Sequence, residues 1–132
     1  MKIHMTSTDI AEFWKKTAQE DWDTAQALFE ISRFHHALFF CQLALEKILK
    51  GLVYAKTKTH PLPIHQLVKL TKQAGLTLTN IQQQQLEEIT SWNIEARYDS
   101  YKREFYQKAT KEFTFQWMKV AKELFLWIKN QY

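Results

Sequence analysis

Residues 95–106, EARYDSYKREFY, combine charged and aromatic side chains at high density. Six of the twelve are charged and four are aromatic, which suits neither a solvated helix face nor a hydrophobic core. Basic residues interleaved with rings are what a nucleotide or single-stranded nucleic acid requires, since cations meet phosphates and rings stack on bases. The segment therefore predicts a ligand-binding strip. The alternative is a connector whose tyrosines cover the end of the fold and whose charges pair among themselves.

The strip would place its cations and rings side by side if the segment is helical. Residues four apart share one side of a helix, so Arg97 would neighbour Tyr101 and Tyr98 would neighbour Lys102. A guanidinium offers a planar fork to phosphate or carboxylate, and tyrosine offers a stacking face with a polar tip. The candidate residues for binding nucleotide or RNA are Arg97, Tyr98, Tyr101, Lys102 and Arg103.

A second pair of residues could orient this strip. Glu46 precedes Lys50 by four residues, which is the favoured order for an ion pair on a helix. An exposed pair would contribute only a few tenths of a kcal/mol, about 0.3–0.5. However, Phe39 and Leu43 lie on the same flank, which indicates a partly covered surface. We therefore expect Glu46, with Lys50 beside it, to orient Arg97 from across the fold.

The composition predicts the scaffold for these groups. The chain has 132 residues with only two Gly and two Pro, which favours long helices joined by few loops. We expect residues 1–132 to form a single all-α domain, an up-and-down antiparallel bundle of four to five helices. The predicted helices are Ile10 to Ile31 behind an Asp9–Glu12 capping box, Phe34 to Lys56, Pro63 to Ala74, one capped by Asn80, and Thr110 to about Gln131.

The second predicted helix is apolar on more than one side. One broad arc runs from Ala37 to Leu52, and Phe39, Phe40 and Leu43 lie outside it. Such a helix is either central to its domain or part of an interface. We expect both here, with the first two helices as an antiparallel hairpin and the second apolar flank forming a homodimer contact.

Several functional classes lack support in the sequence. There is no glycine-rich phosphate loop, and no cofactor or metal is expected. His35 and His36 would point about 100° apart on a helix, and His60 and His65 flank prolines without cysteines nearby. The only cysteine, Cys41, falls on the apolar face as a buried thiol. The net charge of +4 is weak evidence for an anionic partner, and no apolar run predicts a signal peptide or membrane span, so we expect a cytoplasmic protein.

The stretch 37–50, ALFFCQLALEKILK, resembles the core helix of HEPN domains. Its A-x-x-x-x-Q-x-A-x-E-K-x-x-K pattern is matched by Ala37, Gln42, Ala44, Glu46, Lys47 and Lys50. Further positions that resemble the family are Trp14, Ala18, Asp21 and Ala25 in the first helix, His65 and Leu67 of an H-x-L motif, and Ala96, Arg97, Tyr98 and Asp99 of an A-R-Y-P-D variant.

The resemblance implies an antiparallel helical bundle that forms a homodimer, often encoded beside a minimal nucleotidyltransferase in toxin–antitoxin pairs. Some HEPN members are metal-independent ribonucleases with an Arg, four to six residues and a His, assembled across the dimer. Arg97 matches the arginine, but no histidine follows it in this chain. Three hypotheses stay open: a module that binds nucleotide or RNA or the nucleotidyltransferase, a divergent ribonuclease with Glu46, Asp99 or Tyr101 as substitute base, and a structural dimeric adaptor.

Overall fold

The computed structural model describes residues 5–132, which are about 80% helical and include no strand. The six helices are α1 (Ser7–Glu30), α2 (Phe34–Thr57), α3 (Leu67–Gln73), α4 (Asn80–Arg97), α5 (Asp99–Lys108) and α6 (Lys111–Lys129). The all-α class is as predicted, but there is one helix more than the four to five expected. Residues 1–4, part of the segment judged to lack a secretion signal, lie outside the described range.

Helix α1 begins one turn before the predicted start. Thr6, not Asp9, is the N-cap: its hydroxyl accepts from the Asp9 backbone N–H, and the Asp9 carboxylate accepts from the Thr6 N–H. The predicted box of Asp9 and Glu12 is therefore wrong in register. Thr6 and Asp9 are both good N-cap residues, and each is followed three residues later by an acid. The helix that starts at Thr6 gains one more turn than the helix that would start at Asp9.

Helices α1 and α2 form the predicted antiparallel hairpin. The chain reverses around Ser32, whose φ of 62° lies in the left-handed region. Along the hairpin, Lys47 Nζ lies 2.7 Å from the Asp21 carboxylate. One turn further along α2, Gly51 lies against Trp14, where any side chain would collide with the Cβ of Trp14 and the hydroxyl of Tyr132. Contacts thus move toward the start of α1 as α2 proceeds, which fixes the antiparallel direction.

Helix α2 lies at the centre of the bundle, as its two apolar faces predicted. It contacts every other helix, and its main arc is fully buried. Phe39, Phe40 and Leu43, on the second flank, are each half-buried. None of the helices in residues 5–132 combines the length and the apolar character that a bilayer crossing requires.

The proline segment after α2 is longer than predicted. Pro63 was expected in the first turn of the third helix, but α3 begins only at Leu67. Side-chain hydrogen bonds hold the intervening loop: Gln73 Oε1 accepts from the Leu62 N–H, and the Leu67 N–H donates to Thr90 Oγ1 of α4. The end of α3 is as expected, with Gly75 at a positive φ of 80°.

Helix α6 closes the bundle against α1 and α2. Phe125 stacks on Trp22 of α1 with ring centroids 5.5 Å apart. The Tyr132 hydroxyl, just beyond α6, donates a 2.6 Å hydrogen bond to the Ile48 carbonyl of α2. Burial raises the pKa of this phenol, which therefore remains a neutral donor.

Candidate nucleic-acid interface

The segment 95–106 is not one helix but a corner between two. Helix α4 ends at Arg97, and Tyr98 has extended backbone angles of φ −100° and ψ 125°. The Tyr98 carbonyl then accepts from the N–H groups of Tyr101 and Lys102, which starts α5. Tyr98 therefore serves as both the last cap of α4 and the first cap of α5, and it divides the helix that the sequence analysis treated as continuous.

All five predicted binding residues lie on the surface of this corner. Tyr98 and Tyr101 are 53% and 49% exposed, and Arg97, Lys102 and Arg103 are also exposed. Lys102 forms an exposed ion pair with Asp99 at 3.2 Å. Within residues 5–132, Arg97 and Arg103 have no acidic partner within 4 Å. Both guanidinium groups therefore face solvent and can accept an anionic ligand.

The five residues do not share one side of α5. Phe105 is buried and sets the inward direction of the helix. Lys102 and Arg103 lie four and three residues before Tyr106, so these three groups occupy one flank. Tyr101 is two residues from Arg103, about 200° around the helix, and therefore lies on another side. The strip wraps around the corner, and Tyr106, 65% exposed, is an additional ring that the sequence analysis did not include.

Glu46 does not contact Arg97, contrary to expectation. Glu46 is only 7% exposed, and three neighbouring side chains hydrogen-bond to its carboxylate. Lys50 Nζ donates to Oε2 at 3.0 Å, Gln42 Nε2 donates to Oε1 at 3.1 Å, and His65 Nδ1 lies 2.8 Å from Oε1. The proline loop folds back along α2, which brings His65 to the carboxylate in place of Arg97.

The electrostatics of Glu46 follow from these partners. Burial alone would raise its pKa, but hydrogen bonds from Gln42, His65 and Lys50 outweigh burial, so that the pKa lies below its ordinary value. An ionised carboxylate only accepts hydrogen bonds, so the proton of the short contact belongs to His65 Nδ1. The half-exposed imidazole is thereby oriented, with Nε2 directed away from Glu46.

The network extends from Glu46 to α4. Asn93 Nδ2 donates to Gln42 Oε1 at 2.9 Å, and Asn93 is fully buried one helical turn before Arg97. The hydrogen-bonded path from the carboxylate thus reaches α4 through two amides and ends at Asn93, without contacting Arg97. Glu46 and Lys50 form the predicted pair, but their role in this structure is to join α2, the proline loop and α4.

A second network fastens α5 to α4 behind the strip. Lys108 Nζ lies 2.9 Å from Glu88 Oε2 and 3.6 Å from Glu95 Oε1, and the Trp92 indole donates to Glu88 at 2.7 Å. Burial, opposed by Lys108, raises the pKa of Glu95. Part of the charge in segment 95–106 is therefore paired, as the connector alternative supposed, and this includes Lys102 with Asp99. Arg97 and Arg103 have no acidic partner among the described residues.

Two structural features could not be predicted from the sequence. The His35 ring, at the start of α2, contacts Tyr106 with centroids 5.2 Å apart, because α4 and α5 run back toward that end of α2. Separately, an open groove of about 290 Å³ lies between α1 and α6, floored by Trp22, Phe29 and Phe115 and rimmed by lysines. Among residues 5–132, no group of three or more His, Cys, Asp or Glu side chains is placed to hold a metal ion.

Comparisons with known proteins identify one similarity. Residues 11–131, nearly the whole chain, match the HEPN domain family. No curated protein and no solved structure matches the chain. The positions quoted from the sequence for this resemblance are structurally connected here: Lys47 pairs with Asp21, and Gln42, Glu46, Lys50 and His65 form one hydrogen-bonded network.

Proposed function

Since this chain belongs to the HEPN domain family, we propose that it is a binding module that takes a nucleotide or RNA on the strip at the α4–α5 corner. The observation that carries the proposal is the exposure of Tyr98 and Tyr101 beside the unpaired guanidinium groups of Arg97 and Arg103. Exposed rings stack on bases, and solvent-facing cations neutralise phosphates. The connector alternative is disfavoured because its tyrosines would cover the fold rather than face water.

The charge of the strip can be tested with a matched control. The double variant Lys102→Ala/Arg103→Ala removes two outward cations from α5, and Lys119→Ala/Lys122→Ala removes the same charge from α6. We expect the first to weaken binding of a labelled single-stranded RNA of about 12 nucleotides at least about tenfold, and the second to leave it within about twofold. The slope of log affinity against log salt concentration should also fall by about 0.7 for each phosphate that is no longer neutralised. Equal losses of affinity in the two variants would mean that RNA responds to the net charge of the protein and not to the strip.

The roles of the rings and of Arg97 need separate variants. Tyr101→Ala should weaken RNA binding by about fivefold or more, whereas Tyr101→Phe, which keeps the stacking face, should stay close to the original protein. Arg97→Ala should weaken nucleotide and RNA binding alike at fixed salt. Unchanged affinity in Arg97→Ala would remove that residue from the site.

A ribonuclease is the second candidate, and one observation favours it. The motif histidine is missing after Arg97, but the half-exposed His65 is oriented by the buried Glu46, as an imidazole acting as general base requires. The hydrogen-bonded path from Glu46 reaches α4 one turn before Arg97. Cleavage of RNA in the presence of a metal chelator, lost in both His65→Ala and Arg97→Ala, would favour this candidate. Binding without cleavage would favour the module.

We also propose that the module is a homodimer. HEPN domains commonly dimerise, and the outward flank of α2 leaves Phe39, Phe40 and Leu43 only half-buried within one chain. Light scattering at tens of micromolar should give twice the chain mass, and Leu43→Asp should give a monomer with unchanged helix content. A monomeric original protein would contradict the proposal.

A minimal nucleotidyltransferase, as in toxin–antitoxin pairs, is the protein partner we propose. It would dock on the same cationic corner, because the outward guanidinium groups can accept acidic side chains as well as phosphate. Co-expression with a nucleotidyltransferase encoded beside this chain should give a complex that Lys102→Ala/Arg103→Ala weakens and Lys119→Ala/Lys122→Ala does not. If the dimer binds neither RNA nor such a partner, the structural adaptor remains as the supported hypothesis.

A further inference from the structure

The first turn of α2 carries three basic or titratable groups next to the strip. Arg33 precedes the helix and is exposed, His35 is half-buried, and His36 is exposed. The two imidazole centroids are 3.9 Å apart, and the His35 ring meets the edge of Tyr106 at 5.2 Å. These groups therefore stand against the flank of α5 that carries Lys102 and Arg103.

The topology explains why two distant parts of the sequence meet here. Asn93 of α4 lies opposite Gln42, and Phe105 and Tyr106 of α5 lie opposite His35. As the chain proceeds through α4 and α5, its contacts thus move toward the start of α2. The corner of the strip and the α1–α2 turn consequently lie at the same end of the bundle.

We propose that the start of α2 is the second wall of the binding site, and that the ligand is a single strand of RNA rather than a free nucleotide. This inference rests on the proposed function and specifies its substrate class. A mononucleotide presents one base, whereas the surface presents the separate rings of Tyr98, Tyr101 and Tyr106 around two sides of α5. A strand can stack on the outward rings while one of its phosphates lies against the exposed Arg33 and His36 beside Tyr106.

The charged groups around this corner favour an anion. His36 and Arg33 are the neighbours of His35. Burial lowers the pKa of the His35 imidazole most, and repulsion from these two groups lowers it further. No carboxylate contributes to that shift. From α5, the flank of Tyr106 contributes Lys102 and Arg103.

The acidic side chains of the neighbouring helices do not neutralise this cationic surface. Asp99 is paired with Lys102, Glu104 is two residues from Tyr106 and so lies on another side of α5, and Glu30 is exposed at the end of α1. A phosphate at this wall would therefore face the exposed Arg33 and His36 from the start of α2 and the cations Lys102 and Arg103 from α5.

The test measures affinity for the labelled RNA and for adenosine monophosphate at one pH and constant salt. His36→Ala should weaken RNA binding about three- to fivefold, the size of one exposed ionic contact. His36→Lys, which keeps a hydrogen-bond donor to phosphate, should retain the affinity. The control is His60→Ala, which removes an exposed histidine of the proline loop whose ring lies 5.9 Å from that of Tyr54 in α2, and it should leave the affinity unchanged.

The outcomes separate this inference from the proposed function. If RNA binds and the strip variant Lys102→Ala/Arg103→Ala weakens it, but His36→Ala behaves like His60→Ala, the second wall is wrong and the strip stands. If adenosine monophosphate binds as tightly as the RNA, the inference that the ligand is a strand rather than a free nucleotide is wrong. If the original protein binds neither, the proposed function and this inference both fail.

Discussion

The network around Glu46 gives the sharpest prediction about stability. Glu46→Gln keeps the size of the side chain but replaces an ionised acceptor with a neutral amide. Lys50 then loses its counterion, and one of the amide's own N–H groups must face either Lys50 or His65, both of which donate to the carboxylate in the structure. In the variant, two hydrogen-bond donors therefore face each other in a mostly buried site, and neither has an acceptor there.

The expected cost follows from burial. Removing one partner of a fully buried ion pair costs about 3–5 kcal/mol, and a hydrogen bond to a charged group contributes about 1.5–3 kcal/mol. The Lys50 side chain is 13% exposed and that of His65 is 46% exposed, so water can partly replace the carboxylate as their hydrogen-bond acceptor. We therefore expect Glu46→Gln to lower the free energy of unfolding by about 2–3 kcal/mol at neutral pH.

The assay is urea unfolding followed by tryptophan fluorescence, at one protein concentration because dimerisation would make stability depend on it. The pKa of Glu46 is lowered in the folded state, so its stabilisation is present above the ordinary value of 4.5 and is lost as the pH falls through the lower folded value. The gap between the original protein and Glu46→Gln should therefore narrow in acid.

The control is Glu12→Gln, whose side chain is 63% exposed and lies 4.0 Å from Lys15. It should change the unfolding free energy by less than about 0.5 kcal/mol. A Glu46→Gln variant as stable as Glu12→Gln, or a gap that stays constant into acid, would refute the view that an ionised, hydrogen-bonded Glu46 joins α2, the loop and α4.

Three further predictions concern buried or partly buried side chains. Gly51→Ala should destabilise the fold by about 1–2 kcal/mol in urea unfolding, because the new methyl group collides with Trp14 of α1 and with the Tyr132 hydroxyl just beyond α6, although alanine is the better helix former. A neutral result would mean that both neighbours move aside easily. Cys41 is fully buried, and burial raises the pKa of its thiol, so a thiol reagent should react with it only after unfolding; labelling of the folded protein would contradict this. Lys108→Met should cost about 1–2 kcal/mol in thermal or urea unfolding, since it leaves Glu88 and Glu95 facing each other, and an unchanged stability would mean that water compensates both acids.

The scaffold was largely predictable because it depends on periodicity. Helix α2 begins at the predicted Phe34 and ends one residue beyond the predicted Lys56, and its central position followed from having apolar residues on two sides. Local signals were weaker at helix starts. Pro63 fits the first turn of a helix, yet hydrogen bonds from the loop to Gln73 and Thr90, far along the chain, favour an extended path to Leu67.

The candidate site was predictable in composition but not in geometry. Exposure of Arg97, Tyr98 and the basic residues of α5 agrees with their polar surroundings in the sequence. The partner of Glu46 was not predictable, because it depends on the proline loop returning along α2 to place His65 there. The contact of His35 with Tyr106 likewise depends on the corner at Tyr98, which turns α5 back toward the start of α2.

The location of bound RNA tests the central claim most directly. The protein can be cross-linked by ultraviolet light to a single-stranded RNA of about 12 nucleotides, and the attached peptides can be identified by mass spectrometry. Our account predicts cross-links at Tyr98, Tyr101 or Tyr106 in the α4–α5 corner. Cross-links confined to Phe29 and Phe115 in the groove between α1 and α6, with the corner unmodified, would contradict it.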